Sequence, residues 1–393
     1  MSALELREIS ATSPTLAETM RVCLLRAGLS RASGGSKFVL GNPKAWLGTA
    51  YHEVLEKIVH VDLGQEPLLD AVARLWNEAV AAQERRAKAH ALDRRFGPPV
   101  GWPGYHVARA SVLLRAEELA GKPTPPELPI EKQTRSIEAA AATLREHEFT
   151  AFGGKLLGRP DVVRADEVVD YKSGAIFEHD AATQTDVVKA TYVRQLHIYA
   201  YLVKQQLGWW PQRGILLPLG GAGIEIAFEP SACEREAKEA LALLDEYNDR
   251  LRAGAGPEDF ASPSPENCRW CQYKLVCSSF WKTSSPAWSG HLDGAAVEGV
   301  LADGPAMIHA GAARAVSLDI QGGSEVRRRA QIAPLNISTH PAVTTLAPGD
   351  SVRFIGLRAR PDGVLAPSDR TVLFRLKDLP FVNNERGPIA RGP

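Results

Sequence analysis

Gly158-Arg-Pro-Asp161, followed after eight residues by Asp170-Tyr-Lys172-Ser-Gly174, reads as two short strands joined by a turn. Successive side chains of a strand point to opposite faces, so Asp170 and Lys172 project to one side and Tyr171 to the other. If the strand after Asp161 pairs with the one carrying Asp170, two carboxylates and an ammonium converge. Two hard oxygen donors are what Mg²⁺ takes from a protein, leaving its other positions to water and a phosphate. A lysine beside them can orient that water or offset charge developing on phosphorus. The chemistry implied is metal-assisted phosphodiester hydrolysis. The bland alternative is that a D-x-K triplet is only the solvated face of an edge strand.

Working outward, the residues before this pair read as helices. Leu47, Tyr51, Val54, Leu55 and Ile58 recur at helical spacing, a second helix runs from about Leu68 to Arg94, and a third covers Tyr105 to Ala120. The prolines of 121–129 then stop helix formation. Short strands are expected at Leu128–Ile137, His147–Leu157, Asp161–Arg164 and Val168–Lys172, as an antiparallel meander, with Gly153, Gly154 and Gly158 at tight turns or close backbone approaches. A helix over Val187–Leu207, strands at Gly214–Pro218 and Gly223–Phe228, and a helix from about Ser231 to Ala253 complete an α/β core with a helical N-terminal region. Residues 283–290 are small and polar, as in a linker between a first domain, 1–282, and a second, 291–393. The second alternates short β-rich runs with Gly, Pro and Asp turns and reads as a small β-barrel, OB-like in type.

Composition sets limits. With 45% hydrophobic and 23% charged residues the chain is neither disordered nor a membrane protein in type. No window reaches the roughly 18 apolar residues of a span and the N-terminus lacks a signal-peptide core, so a cytoplasmic location is expected. Lys plus Arg equal Asp plus Glu at 46 each, so any nucleic-acid contact must rest on local charge, such as Arg85, Arg86, Lys88, Arg94 and Arg95, or Arg327 to Arg329.

The motifs resemble the RecB-like branch of the PD-(D/E)XK nucleases. Gly158-Arg-Pro-Asp161 is similar to that family's metal-binding aspartate after a glycine, and Asp170-Tyr-Lys172 to its D-x-K core. Gln195-Leu-His-Ile-Tyr199 looks like its Q-x-x-x-Y helix motif, and Gly48-Thr-Ala-Tyr-His52 its upstream histidine, which can add a ligand to the metal. The resemblance covers about residues 20 to 280. It implies a restriction-endonuclease-like core, a central mixed sheet flanked by helices. Gln195 and Tyr199 lie four apart and share a helix face, where they can reach a DNA backbone, orient the lysine, or simply pack. An imidazole ligand at His52 suits Mn²⁺ better than Mg²⁺. Glu131 is a further candidate contact to DNA or metal. His179 and His197 read as packing or surface residues, and Glu148 as a strand-face charge.

Cys268, Cys271 and Cys277 form a compact soft-ligand group whose fourth member is Cys23 or Cys233. Five cysteines in a reducing compartment point to metal or cluster binding rather than disulfides. Cys233, at a helix start, reads as a small half-buried side chain. One remote N-terminal cysteine plus C-x₂-C-x₅-C resembles the 4Fe–4S staple of RecB-like nucleases, including AddB-type helicase–nuclease subunits and CRISPR-associated exonucleases. That resemblance implies a cluster on Cys23, Cys268, Cys271 and Cys277. Zinc would also satisfy four thiolates.

No G-x-x-x-x-G-K-[ST] run is present; Gly153-Gly-Lys155 continues with Leu, so the chain has no nucleotide-driven motor and would act alone or beside a separate helicase. Three readings follow. The chain is an exonuclease acting on DNA single strands or ends in repair, recombination or defence; or a catalytically idle iron–sulfur DNA-binding subunit; or a zinc-stapled RNA-binding protein. Intact Asp161, Asp170 and Lys172 favour the first.

Overall fold

Apolar spacing becomes a three-helix layer. In the computed structural model, which describes residues 4–58, 66–90, 92–120, 143–164, 166–180, 182–218 and 222–379, Ser13 caps α1 (Pro14–Val22) by accepting the Leu16 N–H, with Pro14 in the first turn where its missing N–H costs nothing. Then come α2 (Leu24–Arg31), α3 (Pro43–Ile58), α4 (Leu68–Ala89) and α5 (Tyr105–Ala120). Helices α3, α4 and α5 meet around Tyr51, Val54, Val72, Trp76 and Val112, all fully buried. Each aliphatic side chain so placed contributes about 1.5–3 kcal/mol. Helix α4 stops at Ala89, short of the expected Arg94. The Asp93 carboxylate accepts from Gly41 N–H and pairs with His90 and Arg95, a local polar hub that competes with continued helix. The basic run is therefore split, with Arg95 buried off the helix.

The strands are β1 (Leu144–Arg145), β2 (Phe149–Ala151), β3 (Leu156–Gly158), β4 (Val162–Arg164), β5 (Glu167–Lys172), β6 (Phe177–Asp180), β7 (Thr185–Val188), and, after α6 (Ala190–Leu207), β8 (Arg213–Pro218) and β9 (Ile224–Ala227), followed by α7 (Pro230–Arg252). The central sheet has the order β1-β4-β5-β8-β9; β5 and β8 are parallel and the other pairs antiparallel. It is the central mixed sheet that the resemblance implies: β1, β4 and β5 are antiparallel neighbours, as a meander would be, and β8 adds in parallel. The strand expected over His147–Leu157 is broken because Gly153 (φ 65°) and Gly154 (φ 88°) turn the chain back, so β2 pairs with β3 outside the sheet. Val187 lies in the hairpin β6–β7, and α6 begins only at Ala190. The strand expected at Leu128–Ile137 lies outside the described residues. Val162, Val169 and Tyr171 pack toward α3–α5, while Val163, Val168 and Leu216 pack toward α6 and α7. The sheet is thus covered on both faces, which explains its unbroken valine runs.

Gly158 is a close approach rather than a turn. A Cβ there would stand 2.3 Å from Leu202 Cδ1 and 3.1 Å from the Tyr199 ring, both in a filled core. Gly158→Ala is expected to destabilise the fold by about 1–3 kcal/mol through overpacking, read as a lower urea midpoint at unchanged slope. Gly154→Ala, with open space around it but a positive φ, should cost only about 1 kcal/mol.

Two short helices, α8 (Pro265–Arg269) and α9 (Ser278–Thr283), lead to β10 (Ala295–Leu301), β11 (Ala306–Ile308), β12 (Ala313–Gly323), β13 (Arg329–Asn336), β14 (Ser351–Ala359), β15 (Leu365–Ala366) and β16 (Val372–Arg375). Strands β10, β12, β13, β15 and β14 pair in that order, and β14 pairs back onto β10, closing a five-stranded barrel with β11 and β16 on its flanks. The stretch expected to be a linker is packed: Trp288 is buried, its ring 5.9 Å from that of Phe280. Ile355 and Val372 of the barrel share a core with Tyr273 and Leu275 of the α/β body. The barrel is seated on the body rather than tethered to it.

Candidate active site

Asp161 precedes β4, and the antiparallel pairing of β4 with β5 (Val162 opposite Val169) brings it beside the start of Asp170-Tyr-Lys172. Its Oδ2 accepts the Tyr171 backbone N–H, which fixes the carboxylate at the sheet end. Across from it, α3 presents His52, with Nδ1 3.3 Å from Asp161 Oδ1. Glu146, in the turn after β1 at φ 48°, donates its backbone N–H to the Asp161 carbonyl (3.1 Å). Arg159 holds this turn: its Nε is 2.6 Å from the Glu146 carbonyl and 3.1 Å from its Oε2, and a terminal nitrogen is 2.8 Å from Glu56. One ligand atom from each of His52, Glu146 and Asp161 lies within 4.8 Å of the other two, and among the described residues no other such set occurs.

Asp170 stands next to this set rather than within it. It is ion-paired with Lys172, and Gln195 Nε2 lies 3.4 Å from its other oxygen. The convergence of Asp161, Asp170 and Lys172 on one point is therefore partial, because lysine and glutamine occupy the Asp170 oxygens. Lys172 Nζ also donates to Gln195 Oε1 (2.7 Å) and lies 4.5 Å from the Tyr192 ring centroid. Gln195 Nε2 donates to the Tyr199 hydroxyl (2.9 Å). One turn of α6 thus links Tyr199, Gln195 and Lys172, and the shared helix face expected from their spacing is what makes this possible.

The electrostatics are those of crowded carboxylates. Burial, with Asp161 nearby, pushes Glu146 up to about 8. Burial raises Asp170 to about 6, Lys172 opposing the shift and Asp161 adding to it. At His52 burial works against charge, but the hydrogen bond and field of Asp161 outweigh it and raise the imidazole. Burial also raises the Tyr199 phenol, which stays a neutral hydroxyl.

Glu146 and Tyr192 were not legible in the sequence. Glu146 sits in a turn, where no strand or helix period marks it; its neighbour Glu148, expected as a strand-face charge, is exposed but lies just before β2 rather than in a strand. Glu131 lies outside the described residues. His179 is exposed beside Asp186, and His197 packs on Phe228.

Cys23 at the start of α2, Cys268 in α8, Cys271, and Cys277 at the start of α9 line one cavity with Tyr273 and Phe280. Cys233 is elsewhere, fully buried in the α6–α7 core. Burial pushes Cys268 up to about 11 and Cys277 up to about 12. Among the described residues no three of these thiols come within 4.8 Å of one another.

Among the described residues no helix is long and apolar enough to cross a membrane. No curated protein matches the chain. A solved structure from Eubacterium rectale, named "Putative exonuclease", aligns with a TM-score of 0.38 at 12% identity over 68% of this chain and 90% of its own. The model of the PD-(D/E)XK nuclease superfamily matches residues 11–278, a span that holds His52, Glu146, Asp161, Asp170, Lys172 and the four thiols and stops before the barrel. The chain belongs to the PD-(D/E)XK nuclease superfamily.

Proposed function

We propose that this chain is a Mg²⁺- or Mn²⁺-dependent deoxyribonuclease, an exonuclease acting on DNA single strands or ends in repair, recombination or defence. The observation that carries this reading is the meeting of an imidazole nitrogen and two carboxylate oxygens, from α3, a turn and a sheet end, beside a lysine held by Gln195. Carboxylates crowded and buried as Glu146 and Asp170 are beside Asp161 are unfavourable unless a cation sits among them. His52, Glu146 and Asp161 would hold it, with Asp170 within reach after modest adjustment. A divalent ion there supplies Lewis acidity toward the phosphate and lowers the pKa of bound water.

The chain's own residues do the rest. Lys172 offers ammonium protons to a non-bridging phosphate oxygen as water attacks phosphorus and the bond to the leaving sugar oxygen breaks. Gln195 fixes the ammonium, Tyr199 fixes Gln195, and the neutral Tyr199 hydroxyl adds no competing charge. End-labelled single- and double-stranded DNA incubated with Mn²⁺ or Mg²⁺ tests the reading: the wild type should cut only with metal, and equal cutting by Lys172→Ala would refute it. Gln195→Ala should lower kcat by about tenfold, with little change in KM, because the lysine loses its anchor but not its charge.

The thiols support a 4Fe–4S cluster. A remote N-terminal cysteine facing a C-x₂-C-x₅-C segment across one shared cavity supports the cluster over zinc, which four thiolates would also satisfy. Cys23, Cys268, Cys271 and Cys277 would ligate it, joining the N-terminal helices to the segment under the barrel. The barrel's order, first strand to second, third, fifth, fourth and back to first, supports an OB-like type. With no nucleotide-binding motif in the chain, unwinding would fall to a separate helicase, and a cytoplasmic location fits this role.

A further inference from the structure

A groove of about 360 Å³ runs between the α/β body and the barrel, lined from one side by Gly41–Lys44 and Arg269–Trp270 and from the other by Ile355 and Arg370. Trp270 is 57% exposed, unusual for so large a ring, and the guanidiniums of Arg269 and Arg370 lie over it, each 5.1 Å from its centroid, where a stacking base would displace them toward its flanking phosphates. Arg269, Arg370 and Lys44 are all exposed, so an aromatic platform is flanked by three solvent-facing cations. Asp293, paired with Arg370, and Asp369 are the acidic residues of the lining.

Lys44 lies in the first turn of α3, and a second, separate open groove lies along the same helix, lined by Ala45, Gly48 and Thr49 and, toward the cluster, by His52, Glu53, Glu56, Glu146 and Asp161. From Lys44 to His52 is eight residues, about 12 Å along the helix axis. The face between them carries only small side chains, and Gly48 passes so close to Ser173, next to Lys172, that a Cβ would stand 2.5 Å from its hydroxyl oxygen. A wall of small residues between a stacking platform and a phosphodiester site suits a single strand. A duplex presents its bases to each other and has no free face for an indole, whereas an unpaired base does.

We infer that a single nucleic-acid strand enters between barrel and body, stacks a base on Trp270 with Arg269, Arg370 and Lys44 on the flanking phosphates, and follows α3 to the metal-binding cluster. This rests on the nuclease reading for the strand's destination, but its entry is independent of cleavage. The body and the barrel both contribute to the entrance, which gives the seated packing of the two a purpose beyond stability.

The test is binding of fluorescent 20-mers to full-length, anaerobically purified protein in EDTA, so that nothing is cut. Single-stranded DNA, single-stranded RNA and duplex DNA are compared by anisotropy, and the tighter single strand names the source. Trp270→Ala and Arg370→Ala should each weaken single-strand binding about tenfold. Trp270→Phe, which keeps a ring, should restore it to within about twofold, whereas a purely structural Trp270 would show in melting temperature and not in affinity. Lys238→Ala on α7, away from the groove, is the control for general charge. Unchanged affinity in both alanine variants, an equal loss in Lys238→Ala, or tighter binding of duplex would overturn the inference. Hydrolysis of bis(p-nitrophenyl) phosphate by the wild type with Mn²⁺ is measured in parallel. Reporter hydrolysis with unaltered strand binding sinks the path alone, and strand binding that responds as expected without reporter hydrolysis sinks the nuclease reading alone.

Discussion

Asp161→Asn is expected to lower metal-dependent DNA hydrolysis by about three orders of magnitude while leaving the protein folded. Asparagine is nearly isosteric, and its amide oxygen can still accept the Tyr171 N–H that anchors the side chain. What it removes is the charge at the centre of the cluster: Asp161 is the neighbour of His52, and it adds to the rise that burial imposes on both Glu146 and Asp170. The same substitution should hold or slightly raise the melting temperature of metal-free protein, because a crowded buried carboxylate is lost. Sites built for function commonly store such repulsion at a cost in stability. A variant that loses activity by unfolding would show the opposite change in melting, so the two measurements together separate chemistry from folding.

The second large effect concerns the thiols. Cys268→Ser and Cys277→Ser are each expected to yield colourless protein, depleted in iron and sulfide, that is insoluble or melts about 10 °C or more below the wild type. Thiolate–metal bonding contributes about 10–16 kcal/mol to small zinc domains, and even a fraction of that is comparable with the roughly 5–15 kcal/mol that holds a whole protein folded. The position would amplify the effect: Cys23 and Cys268 are far apart in sequence, and a cluster held by both would tie α2 to the segment on which the barrel rests. Burial raises Cys268 and Cys277, so these two thiols give up their protons only to a metal that replaces them. Cys233→Ala, which removes one buried sulfur from the α6–α7 core, should cost about 1 kcal/mol and leave the colour intact. Full cluster absorbance in Cys23→Ser would remove that residue from the ligand set.

Much of this site can be read in the chain before any coordinates. Asp161, Asp170, Lys172, Gln195 and Tyr199 are singled out by their resemblance to the family's motifs; strand alternation and the four-residue helix repeat say only which of them share a face, and the pairing of β4 with β5 sets Asp161 beside Asp170. Glu146 escapes because its position is set by a turn at positive φ, held by Arg159 from across the site, and neither periodicity nor spacing records such contacts. The end of α4 is hidden from periodicity for a similar reason: Asp93 draws partners from Gly41 and Arg95, and a side chain that satisfies a distant N–H outweighs local helix propensity. Residues 283–290 look like a linker by composition, yet Trp288 within them buries its indole, a contact that composition cannot weigh. The closed barrel was legible as a class from its short β-rich runs, but its closure depends on β14 returning to β10, a long-range pairing.

Anomalous diffraction from crystals soaked in Mn²⁺ bears most directly on the claim that a divalent ion organises this site. One peak should appear about 2 Å from a nitrogen of His52 and from carboxylate oxygens of Glu146 and Asp161, and it should vanish in Asp161→Asn. No peak there in well-diffracting crystals, or one bound away from these three residues, would contradict the metal-dependent mechanism.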